Sequence, residues 1–131
     1  MLDNVDIRES IVAWLKANTV IVATLPAGAV EIRELYWSGE DFVYPNIRVT
    51  CSSTPNQCNY SDVVATISYF SEQKSSKQSL TGQGVVAKQM HKKSVDQGTV
   101  EFSNMRVTSL PDAVQTDGIW KADTVLSMRA S

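Results

Sequence analysis

Near the start of the chain, apolar residues recur at helical spacing. Ile7, Ile11, Trp14 and Leu15 fall on one stripe, and Asp3 or Asn4 stands where an N-cap belongs, so the pattern predicts a helix to about Ala17. Asn18 and Thr19 break the stripe. Residues 19–25, TVIVATL, form a short apolar run that suits helix or strand; the reading favoured is a short helix capped by Thr19 and ended by Pro26 and Gly28. Residues 30–37, VEIRELYW, look extended, and Ser38 to Asp41 make a turn. Tyr44-Pro45 opens a strand over 47–53, because the residue before proline is pushed to extended angles. Along it Ile47, Val49 and Cys51 point one way, Arg48, Thr50 and Ser52 the other. A loop, TPNQCN, leads to a second strand at 62–70, rich in β-branched and aromatic residues.

The serines of 71–79 can cap a helix from about Lys77 to Lys93, with Leu80, Gly84, Ala87 and Met90 on one face. Gly82 and Gly84 weaken it by about 1 kcal/mol each against alanine, and close packing of Gly84 and Ala87 on a sheet is the expected reason for small residues there. Ser94 to Gly98 turns the chain. Residues 99–109 read as a strand whose apolar phase slips between Phe102 and Met105, which predicts a bulge near Ser103-Asn104. Pro111-Asp112 and Asp117-Gly118 bound the last connection. The final strand, 119–129, alternates strictly, with Trp120, Ala122, Thr124, Leu126 and Met128 directed at the core. The class expected is α+β: a mostly antiparallel sheet packed by an N-terminal and a central helix, as one domain over residues 1–131.

Composition narrows the function classes. With 43% apolar and 20% charged residues the chain has the makings of a core that needs neither metal nor disulfide. Cys51 and Cys58 are expected to stay reduced. A formal net charge of −2 argues against gripping nucleic acid as a main task. The basic cluster Lys88, His91, Lys92 and Lys93 reads as the solvated end of a helix. No apolar run reaches the ~20 residues of a membrane span, and the acidic N-terminus has no signal-peptide pattern, so folding in a cytoplasm without membrane contact is expected.

Chemistry finds little to work with. His91 is the single histidine, and a Cys51–His91 nucleophile pair is far less probable than a packed cysteine and an exposed histidine. Two cysteines and one histidine without a Cys-x-x-Cys make no zinc site. Gly82-Gln83-Gly84 lacks the third glycine of a dinucleotide fingerprint. Glu31, Glu34, Glu40 and Asp41 read as solvated acids beside a turn, with an acid–base pair among them as the enzymatic alternative. No catalytic, metal or cofactor residue is assigned.

The order of elements, with the Tyr44-Pro45 step into Ile47-Arg48-Val49, the strand ending SYFSEQ, the helix opening SSKQSL and the closing strand Gly118 to Arg129, resembles the tail terminator (tail completion) proteins of long-tailed bacteriophages. The resemblance covers nearly the whole chain as an order of elements with short echoes. It implies a virion structural protein, a ring subunit at the tail–neck junction assembled in the bacterial cytoplasm, six-fold in the family. Its partners would be further copies of itself, the tail tube protein and a neck or head-completion protein, with DNA passing through without specific binding. Another neck, head-closure or tail-tube subunit is the nearest alternative; a small carboxylate enzyme using Glu31 or Asp41, or a monomeric binding module, belongs to other classes. Subunit contacts are expected in the loops 36–44, 54–61 and 71–79, with Tyr36, Trp37, Phe42 and Tyr60 as aromatic anchors. A channel wall is expected to be acidic or neutral, from Glu31 to Asp41 and Asp112 to Asp117, with Lys74, Lys77, Lys88, Lys92 and Lys93 elsewhere.

Overall fold

The computed structural model describes residues 2–35, 43–56, 59–72 and 74–131. Helix α1 spans Asn4–Ala17, capped by Asp3, whose carboxylate accepts from the N–H of Asp6 at 2.8 Å. Ile7, Ile11 and Leu15 are buried, while Trp14 is half-buried against the same core. Helix α2 is one turn, Thr19–Val22. Its cap is Asn18 rather than Thr19: the amide oxygen accepts from the N–H groups of both Val20 and Ile21 at 3.1 Å. Thr19 is already the first helical residue, so the capping position falls on Asn18, whose amide oxygen serves two donors at once.

The extended stretch expected at 30–37 is shorter than the pattern suggests. A 3-10 turn covers Ala29–Glu31, and strand β1 only Ile32–Glu34. Strand β2 (Asn46–Pro55) and strand β3 (Ser61–Ser71) form a long antiparallel hairpin, each reaching beyond its expected ends. Helix α3 spans Lys77–Met90, three residues shorter than expected, because His91 is extended and Lys92 takes a left-handed φ of 59°. Strands β4 (Val95–Asp96), β5 (Glu101–Ser109), β6 (Val114–Thr116) and β7 (Ile119–Ala130) complete the element order. β4 lies where only a turn was expected, and β6 was read as connection; both are too short to show a period.

The fold is α+β. Among the described residues one sheet of seven strands runs β1-β2-β3-β7-β5-β4, with β6 on β7 beside the end of β5. Only the β1–β2 pair is parallel among the described residues. β5 slips register between Ser103 and Arg106, where Asn104 has φ 53°, so the expected bulge is present. Asp117 and Gly118, both at positive φ, make the two-residue turn from β6 to β7.

All three helices pack on one face of the sheet. There Ile47, Val49, Val63, Ile67, Leu126 and Met128 meet Ile7, Ile11, Leu15 and Ile21, with Val86 and Met90 from α3. Ala122, Thr124, Leu126 and Met128 are buried as their alternation requires, but Trp120, near the hairpin turn, is only half-buried. The packed face of α3 is Ser79, Gly82, Gln83, Val86, Ala87 and Met90, so the face expected from Leu80 and Gly84 is turned by about one position. Gly82, not Gly84, is the close-approach glycine: a Cβ there would overlap the Tyr69 ring, whereas one at Gly84 meets nothing within 4 Å.

Candidate interaction surface

Of the four aromatic residues proposed for subunit contact, Tyr36, Trp37 and Phe42 lie outside the described residues. Tyr60 sits at the base of the β2–β3 loop, half-buried, with the Arg129 guanidinium 4.6 Å above its ring centroid. Its carbonyl accepts from the N–H of Asn56 at 2.8 Å. The ring therefore braces the end of β7 as well as facing outward.

Of the carboxylates read as solvated, Glu31 is buried instead. Glu31 is 4% exposed and Arg48, on the sheet face away from the helices, is 3% exposed. Arg48 approaches Glu31 at 3.6 Å and Arg33 approaches it at 3.5 Å. Burial holds the Arg48 guanidinium below its usual pKa, and the neighbouring Glu31 opposes that shift. Glu34 is tied to Arg8 of α1 at 2.7 Å. These two acids thus fix the rim of the sheet, and Glu31 is too buried to line a channel. Glu40 and Asp41 lie outside the described residues.

Cys51 and His91 are not brought together. Cys51 on β2 lies three strand spacings, roughly 14 Å, from Val107 on β5, to which His91 at the end of α3 is bonded, and each has another partner. The Cys51 thiol points at the carbonyl of Asn4, 3.8 Å away, and burial raises its pKa, so it is a weak nucleophile. Cys51 is a free thiol; Cys58 lies outside the described residues. His91 Nδ1 accepts from the N–H of Val107 at 2.9 Å, which requires the tautomer with its proton on Nε2. Beside it the N–H of Lys92 donates to Met105 O at 2.8 Å, and the N–H of Met105 donates to Lys93 O at 3.3 Å. The basic cluster is therefore a cover over the outer edge of β5 as well as a solvated helix end.

Gln83 is a residue that the sequence offered no reason to single out. Buried on α3, its Nε2 donates to Asp123 O at 2.6 Å and to Pro111 O at 2.8 Å, while Thr124 Oγ1 donates to its main-chain carbonyl at 3.3 Å. One amide thus fixes the helix, the central strand and the base of the β6–β7 hairpin together. Beyond that base the hairpin stands out: Leu110 is 50% and Val114 59% exposed, with Asp112 and Asp117 alongside. Lys74, Lys77, Lys88, Lys92 and Lys93 are all exposed and lie on or next to α3, on the helix side of the sheet.

The fold recurs in a known particle. The chain is similar to a chain in the virion of a native gene transfer agent particle, with a TM-score of 0.71 over 94% of this chain and 92% of that one. Their sequences are 10% identical, so the likeness is one of fold. No protein-family model and no curated protein matches the chain.

Proposed function

We propose that this chain is a virion structural protein, a ring-forming tail terminator that caps the tail tube and joins it to the head–neck connector. The observation that carries the reading is the likeness in fold to a chain of an assembled virion, over 94% of this chain and 92% of that one. The order of elements and the exposed hairpin fit a subunit whose work is done by its surfaces. On this reading the chain is one domain that assembles with copies of itself into a six-fold ring. It meets the tube protein on one side and a neck protein on the other, and DNA crosses without specific binding. Tyr36, Trp37, Phe42 and Tyr60 contribute to the contacts between subunits.

The test is assembly with the tube protein of the same particle, followed by negative-stain electron microscopy. The purified chain is expected to cap one end of each tube and to stop further lengthening. Tubes that grow unchecked with bare ends would remove the terminator reading. Binding to the head-side connector alone would move the chain to a neck position.

A further inference from the structure

Among the described residues, the rim of the sheet is open at two places. The first is β1. In a parallel ladder alternate residues bond to the neighbour, and Leu35 N–H donates to Val49 O at 3.0 Å, so Arg33 also faces β2 while Ile32 and Glu34 face outward. The Ile32 N–H is satisfied by Ala29 O, which leaves the Glu34 N–H at the rim. The second is β6. Thr116 and Ile119 close the two-residue turn as a bonded pair, so the N–H and C=O of Gln115 point away from β7. The neighbouring stretch of that same rim is covered by β4 and by residues 91–93, so β6 is where this rim stays open.

We propose that β6 of one copy adds to the β1 edge of the next, entering the groove between β1 and α1. This inference rests on the ring reading above and names the contact that would build the ring. The occupant is argued from complementarity. The groove presents Val12 and Val30, the latter 58% exposed, between the cations Arg8, Lys16 and Arg33; with Glu9 and Glu34 its formal balance is +1, three cations less two acids. The incoming segment, residues 110–120, holds Asp112 and Asp117 and no cation, a balance of −2, with Val114 exposed between them. The two surfaces are different and lie at opposite rims of the sheet, so the contact is head-to-tail and can close into a ring. Gln83 holds the base of the hairpin rigid, which spares ordering entropy on docking.

Sedimentation velocity of the full chain, with circular dichroism to verify folding, tests this. Gln115→Pro removes the outward N–H while leaving the β7 ladder intact, and is expected to weaken self-association about tenfold or more. Lys16→Glu and Asp117→Lys should each weaken association, and the double variant, which restores opposite charges at every interface, should recover most of the loss. If all these variants associate like the parent, the contact lies elsewhere and the inference fails while the ring reading stands. If the parent chain stays monomeric alone and on tail tubes, both fall.

Discussion

Gly82 and Gly84 are two residues apart on one helix and have opposite roles. A methyl group at 82 must displace the Tyr69 ring from the middle of the core, so Gly82→Ala is expected to destabilise by about 1–3 kcal/mol. At 84 there is open space and an ordinary helical backbone, so Gly84→Ala is expected to stabilise by up to about 1 kcal/mol. Urea denaturation of the two variants reads the contrast directly. Tyr69 itself donates its hydroxyl to Thr24 O at 3.0 Å, and burial holds the phenol above its usual pKa. The sign of the resulting pH effect follows from linkage. Below pH about 10 both folded and unfolded chains keep the proton and the contribution is complete. Above it the unfolded chain loses the proton first, and stability falls until the folded phenol ionises. Tyr69→Phe should cost about 1 kcal/mol at neutral pH and flatten the alkaline limb of a stability–pH profile. A parent and variant with parallel alkaline limbs would show that Tyr69 does not govern it. None of these pairings was legible in the sequence. Which glycine meets a ring, and that Glu31 and Arg48 are buried together, depends on residues from four elements converging.

At the scale of elements the sequence was more informative, because period alone decides what an element buries when one face is covered. The stripe Ile7, Ile11, Leu15 and the alternation from Ala122 to Met128 gave α1 and β7 correctly. The bulge near Asn104 was visible as a slip in phase. Period failed where elements were short, at β4 and β6, and where small residues blurred the face, at α3. It also misjudged Trp120, since alternation says which side a residue is on but not whether anything lies there. Trp120→Ala is therefore expected to cost about 1–2 kcal/mol, well under the ~3–5 kcal/mol of a fully buried tryptophan. Thermal unfolding of the variant measures this; a loss in the upper range would mean that the ring is covered more completely than its half-buried position indicates.

For the molecule as a whole, the order of strands in space differs from their order in the chain. β7 comes last of the seven yet lies between β3 and β5, with β6 on its flank. On the ribosome this arrangement sets a timetable. While residues 1–118 emerge, the β2–β3 hairpin and β5 have no strand to join them, and the apolar face that α1 and α3 must cover is split in two. The nascent chain can form helices and a hairpin early, but it completes the sheet only when its final twelve-residue strand is free of the exit tunnel. A fragment ending at Gly118 should accordingly show no cooperative unfolding transition, and a sigmoidal melt from it would contradict the scheme. On the proposed ring reading, late closure keeps chains cut short before β7 from offering a finished surface, so that translation itself screens what enters the assembly.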